Sequence, residues 1–149
     1  MGIINSNQDL TPDAVWSNIE MPEELQEAYE RIVLAGMKIL FSQGTNRELL
    51  KRIDGPGPIG IRLGKGMATL MLLLFKQSNQ TIPPNVIIPA GLYLLSQAAD
   101  FLKKTEVEEV TNEDIADSMV EFINTLITSF GGDTQKMYEL FDRYSEVAQ

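Results

Sequence analysis

The chain of 149 residues contains neither cysteine nor histidine. Without cysteine it has no disulfide, no thiolate zinc site, no iron–sulfur cluster and no thiol nucleophile. Without histidine it lacks the commonest metal-binding side chain, which is also the one that most often transfers protons near neutral pH. We therefore predict that the protein is not an enzyme and that it holds no cofactor and no metal ion.

The sequence also lacks a secretory signal and an apolar stretch long enough to span a membrane. Residues 1–6 have neither the basic residues nor the apolar run of a secretory signal, which predicts a cytoplasmic protein at synthesis. The most apolar stretch, residues 66–75, would rise only ~15 Å as a helix, about half the hydrocarbon thickness of a bilayer. It cannot span a membrane, so we predict a buried core helix. Contact of residues 59–75 with lipid, after release from an assembly, is the alternative.

Charge is distributed unevenly along a chain whose net charge is −9. Residues 45–76 contain six basic and two acidic residues, a net charge of +4. The flanking residues 1–44 and 105–149 have net charges of −5 and −9. Solvated helix faces would explain this pattern, and complementary surfaces that dock between copies of the chain are the alternative.

Apolar residues recur at helical spacing in most of the chain, and no segment shows the alternation of a strand. We predict an all-α, irregular or orthogonal bundle of five to six helices, formed by residues 21–149 as one domain. A polar N-terminal arm, residues 1–20, precedes it. Trp16, the only tryptophan, lies in this arm. Because burying an indole is worth a few kcal/mol, we expect Trp16 to anchor the arm in a groove of its own domain or of a neighbouring copy.

Local signals place the helix ends. The pairs Thr45 with Glu48 and Thr111 with Asp114 each have the spacing of a capping box. Pro89 is predicted in the first turn of its helix. Gly131 and Gly132 predict a helix end, before a final helix that Asp133 caps and that contains Met137, Leu140, Phe141 and Tyr144.

The most apolar helix, residues 59–77, carries a stripe of small residues. Gly60, Gly64 and Ala68 are four residues apart, a spacing that lets another helix backbone approach closely. We interpret this stripe, with Trp16, as part of an interaction surface. Its basic side is predicted to consist of Arg47, Arg52, Arg62 and Lys65, which flank a Gly/Pro break. An acidic partner, such as the C-terminal region of a neighbouring copy, would fit these charges.

Charge reversal at Arg62 and Lys65 is expected to weaken assembly and to leave the monomer folded.

Nucleic-acid binding is disfavoured, because the chain has no wide basic face with interleaved aromatic residues. The sequence GPGPIG at residues 55–60 matches GxGxxG, but it follows a predicted helix instead of a strand, and two of its residues are prolines without an N–H group.

Three segments carry a resemblance to a known class of proteins. They read IPPNVIIPAG at residues 82–91, AADFL at residues 98–102 and VTNEDIA at residues 110–116. Together they resemble small helical proteins encoded among bacteriophage virion genes. The resemblance implies a structural or assembly role in a tail, neck or ejection apparatus, with the chain itself or other virion proteins as partners. A monomeric adaptor that binds one partner protein is the remaining alternative.

Overall fold

A computed structural model describes residues 10–41, 47–78 and 82–129. Within these ranges the chain forms helices and no strand, so the predicted all-α helical bundle is confirmed. The buried apolar side chains form one cluster. The helices are α1 (Pro12–Asn18), α2 (Glu23–Leu40), α3 (Arg47–Arg52), α4 (Ile59–Gln77), α5 (Pro84–Thr105) and α6 (Asn112–Ser129).

The most extensive helix contact joins α4 to α6, and α5 packs against both of them and against α2. α4 has the bounds that its apolar pattern predicted, residues 59–77. Met67, Leu70 and Met71 are fully buried in it, because neighbouring helices cover most of its circumference. This arrangement leaves one narrow strip of α4 in contact with solvent.

α1 lies within the predicted N-terminal arm and packs on the rest of the chain. It is a short helix in which Thr11 Oγ1 accepts a hydrogen bond from the Ala14 N–H group at 3.4 Å. Leu10 and Val15 lie in the hydrophobic core with 3% and 5% of their surface exposed. Residues 10–18 therefore pack on the domain, mainly through the buried side chains of Leu10 and Val15. Residues 1–9 lie outside the described residues.

α5 corrects the predicted position of Pro89. The helix begins at Pro84, so Pro89 lies inside it instead of in its first turn. Val86, Ile87 and Ile88 are almost completely buried, which explains why the helix extends one turn before this proline. A proline has no N–H group, so one backbone hydrogen bond is lost near the start of the helix.

The predicted capping box at the start of α6 is confirmed. The Thr111 N–H group donates to Asp114 Oδ2 at 2.9 Å, and the Asp114 N–H group donates to Thr111 Oγ1 at 3.1 Å. α2 ends at Leu40. The predicted cap at Thr45 and the final helix after Asp133 lie outside the described residues.

One helix in the described ranges, Asn85–Thr105, is long and apolar enough to cross a membrane by length and composition alone. Of its most apolar window, 72% is buried inside the chain, and the core helix of a globular domain has the same property. This helix is α5, whereas the segment predicted as an alternative lipid contact, residues 59–75, belongs to α4. Lipid contact by α4 stays a prediction.

Candidate interaction surface

The small-residue stripe of α4 is covered by α6 of the same chain. A Cβ atom on Gly64 would lie 2.5 Å from the Ser118 carbonyl oxygen and 3.0 Å from the Phe122 backbone nitrogen. Gly60 is nearly as close to α6, and Ala68 is completely buried. The close helix approach that the spacing predicted therefore exists inside the chain. α6 of the same chain thus occupies the approach to Gly60 and Gly64, so this packing needs no second copy, and a part for the three residues in an intermolecular interface stays a prediction.

Arg62 also has its partners inside the chain. Its Nε donates to the Gly57 carbonyl oxygen at 2.9 Å, its Nη1 donates to the Ile53 carbonyl oxygen at 3.1 Å, and its Nη2 pairs with Glu108. Only 17% of the Arg62 side chain is exposed. The prediction that Arg62 faces an acidic neighbouring copy is therefore corrected, and its charge reversal is expected to destabilise the monomer itself.

The solvent-exposed strip of α4 is a ridge formed by Ile61, Lys65 and Thr69, which are four residues apart and exposed. α6 contacts α4 at Gly64, and α3 contacts it at Gly66, where a Cβ atom would lie 2.9 Å from the Arg52 carbonyl oxygen. Successive residues of an α-helix are about 100° apart, so these two contacts are about 200° apart around α4. The two helices therefore lie on opposite sides of the ridge.

On the α3 side of the ridge lies a cleft of about 420 Å³. Its charged side chains are Lys51, Arg52, Lys65 and Glu48, and Gly66 and Thr69 complete the lining. Arg52 Nη2 pairs with Glu48 Oε1 at 3.2 Å, whereas Lys51 and Lys65 form no ion pair with any residue of the described ranges. The cleft keeps an excess of positive charge. Arg47 is exposed at the start of α3 but does not line the cleft.

On the α6 side of the ridge lies a groove of about 330 Å³ that is acidic and partly apolar. Ile61 and Val120 line it and are 37% and 48% exposed, two of the five exposed large apolar side chains in the described ranges. Three carboxylates surround this apolar patch: Asp114, Asp117 and Glu121. An apolar patch rimmed by charged residues is the arrangement found in larger form at contact surfaces.

These parts together form what we call the ridge face. It consists of the ridge itself, a basic flank with Lys51 and Arg52, and an acidic flank with Asp117, Val120 and Glu121. The sequence predicted the basic flank in part and missed the acidic one. Val120 was the available signal, because it is an apolar residue next to the buried stripe of α6 but not in it.

Trp16 packs on its own domain. Its ring centroid lies 5.1 Å from that of Tyr29 on α2 and 4.9 Å from that of Tyr93 on α5. The indole is still 38% exposed. Trp16 therefore anchors α1 within the chain, which is the first of the two alternatives that the sequence left open.

Beneath this aromatic cluster, the Tyr29 hydroxyl is buried and has no hydrogen-bond partner in the described ranges. Burial, and to a smaller extent Tyr93, raises the pKa of Tyr29. An unfolded tyrosine loses its proton near pH ~10. Above that pH the folded chain binds more protons than the unfolded one, so stability falls as pH rises.

We expect Tyr29→Phe to be as stable as the wild type or more stable at neutral pH, by up to about 1 kcal/mol, because it removes an unsatisfied buried hydroxyl. Its loss of stability above pH ~10 should also be smaller than that of the wild type. Urea unfolding at neutral and alkaline pH measures both effects. As a control, Tyr93→Phe removes a hydroxyl that accepts a hydrogen bond from Gln97, and should not stabilise. A clearly less stable Tyr29→Phe would contradict the expectation.

Among the described residues, no group of three or more acidic side chains lies close enough together to hold a metal ion. The GPGPIG loop joins two helices, α3 and α4, and two of its glycines, Gly55 and Gly57, have positive φ angles of 134° and 103°. The ridge face is therefore the candidate interaction surface that we consider below. Comparison with protein families, with curated proteins and with solved structures finds no match for this chain.

Proposed function

We propose that the chain is a non-enzymatic structural protein whose copies pair through the ridge face. The observation that carries this proposal is the order of charges across the face, basic on one side of the ridge and acidic on the other. The resemblance to proteins encoded among bacteriophage virion genes supplies the setting we propose for it, a tail, neck or ejection apparatus.

Symmetry explains why this order suits a second copy of the same chain. A two-fold axis parallel to α4 places the basic flank of each copy opposite the acidic flank of the other, so that every contact occurs twice. The two flanks also lie at similar heights along α4, because Glu121 packs beside Gly64, the neighbour of Lys65 in sequence. Ile61 and Val120 would lose their solvent exposure in such a pair.

The net charge of the chain opposes unspecific association of its copies. Its value of −9 makes randomly oriented copies repel each other at long range. Opposed basic and acidic flanks offset this repulsion locally and select one orientation, since like charges across an interface cost several kcal/mol. The apolar residues then supply affinity that does not depend on salt.

The test is a pair of complementary charge reversals. Lys51→Glu/Lys65→Glu makes both flanks acidic, and Asp117→Lys/Glu121→Lys makes both flanks basic. Each variant alone should pair at least tenfold more weakly than the wild type, about 1.4 kcal/mol or more. An equimolar mixture of the two should form a mixed dimer, because its flanks are complementary again. Light scattering behind a sizing column measures the mass in each case.

A control variant, Lys38→Glu/Lys103→Glu, changes the net charge by the same amount as Lys51→Glu/Lys65→Glu, at two exposed lysines outside the ridge face. It should pair like the wild type. Raising the salt concentration to about 0.5 M should weaken wild-type pairing, because it screens exposed charges. A wild type that stays monomeric at low salt, or single variants that pair as well as it does, would refute pairing through this face.

A further inference from the structure

The cleft between α3 and α4 combines three features that an anion site needs. It is concave, three cationic side chains line it against one carboxylate, and the two helices that build it are held in contact. Two of the cations, Lys51 and Lys65, form no ion pair with any described residue. Bringing unpaired like charges together costs free energy, and a bound anion would recover it.

Arg52 adds a directional donor group. Its Nη2 pairs with Glu48, and its Nε is buried with no hydrogen-bond partner in the described ranges. A guanidinium has five N–H donors in a planar fork, a geometry that matches the oxygens of a phosphate group. Gly66 lets the Arg52 backbone lie against α4, because a Cβ atom there would be only 2.9 Å from the Arg52 carbonyl oxygen.

Thr69 completes the lining with a hydroxyl whose hydrogen atom is already used. Its Oγ1 donates to the Lys65 carbonyl oxygen at 2.9 Å, one turn earlier on α4. The two lysines and the arginine are therefore the groups that would neutralise a ligand, which favours a dianion over a monoanion. The carboxylates of the acidic flank lie just across the ridge and repel an extended polyanion.

We propose that the cleft between α3 and α4 binds a small molecule with a terminal phosphate group, held by Lys51, Arg52 and Lys65. The effect of the ligand on pairing rests on the proposed function. The ligand would bind the same cations that face the acidic flank of a second copy. The phosphate-bearing molecule and the second copy then compete, and the ligand controls whether the chains pair.

Titration with inorganic pyrophosphate tests binding, with backbone amide chemical shifts as the readout. The Val120→Asp variant serves as the protein, because it keeps every cation of the cleft while it disrupts the apolar part of the proposed pairing. We expect saturable shifts confined to residues 48–52 and 65–69, which sodium chloride of equal ionic strength does not produce. Adding Lys51→Gln/Lys65→Gln should weaken binding at least tenfold, whereas adding Lys38→Gln/Lys103→Gln should not.

Two further results separate this proposal from its alternatives. A short oligonucleotide should bind more weakly than pyrophosphate, and stronger binding of the oligonucleotide would overturn the assignment to a small ligand. Diffuse shifts, or shifts that chloride reproduces, would overturn the site itself and leave pairing through the ridge face standing. If the wild type does not pair at all, the titration still decides whether the cleft binds phosphate, while the competition is refuted.

Discussion

Gly64→Ala is expected to destabilise the folded domain by about 1–3 kcal/mol, although alanine is the better helix former. The added Cβ atom would lie 2.5 Å from the Ser118 carbonyl oxygen and 2.7 Å from Glu121 Cβ. The first of these atoms belongs to backbone, so no side-chain rotation relieves the overlap. α4 and α6 would have to separate along their whole contact, the largest in the domain. Urea unfolding followed by circular dichroism measures the change.

The loss of stability expected for Gly64→Ala is opposite in sign to the effect of the same substitution at an exposed site. At an exposed helical site, a compatible change from glycine to alanine stabilises by about 0.4–1 kcal/mol. The change in stability for Gly60→Ala should lie between these two values, because the closest atom to its new Cβ, the Asp114 carbonyl oxygen, would be 3.1 Å away. Thr69→Ala on the exposed ridge of α4 is the control and should change stability by less than about 0.5 kcal/mol. A Gly64→Ala variant as stable as the wild type would contradict the packing described here.

The glycine stripe also shows which part of the structure the sequence predicts. Spacing alone established that another helix backbone approaches α4 at Gly60 and Gly64. It did not establish which helix, because a helix of the same chain and a helix of a second copy satisfy the same steric condition. The partner, α6, begins 35 residues after the end of α4. Choosing it depends on how all the helices share one core, which no local pattern records.

Local signals performed better where a single turn of chain decides the outcome. The capping box at Thr111 needs only residues three apart, and it is present as predicted. Pro89 shows the limit of such signals. Proline fits the first helical turn best, yet the apolar residues before it gain more by burial in the core than the helix loses in one hydrogen bond. Tertiary packing overrode the local preference.

The candidate interaction surface divides in the same way. Basic residues cluster in the sequence near the α3–α4 break, so part of the basic flank was predictable. The acidic flank comes from α6, and it joins the ridge only because α6 packs against Gly60 and Gly64. The sequence could not separate a cation that serves the fold from one that faces outward, and Arg62 and Lys65 were therefore predicted to act alike.

The second large effect is expected at Arg62, which ties two loops together. It donates to carbonyl groups of the α3–α4 connection, at Ile53 and Gly57, and it pairs with Glu108 in the α5–α6 connection. Arg62→Met keeps an apolar stem of similar length but removes all three interactions. The two carbonyl oxygens and the Glu108 carboxylate then lose their partner. We expect a loss of about 2–4 kcal/mol, since hydrogen bonds to charged groups are worth about 1.5–3 kcal/mol each and the site is only partly exposed.

Arg31→Met is a closely matched control, because it makes the same substitution with the same change in charge. Arg31 also pairs with a glutamate, Glu27, but the two side chains are 76% and 78% exposed. Its loss should be about 0–0.5 kcal/mol, as for other solvent-exposed pairs within one helix. The loss of stability for Glu108→Gln should lie between those of Arg62→Met and Arg31→Met. This substitution weakens one of the three interactions of Arg62 and keeps the two carbonyl contacts. If Arg62→Met unfolds at the same urea concentration as Arg31→Met, the guanidinium does not join the loops, and Arg62 becomes available again as a cation of the ridge face.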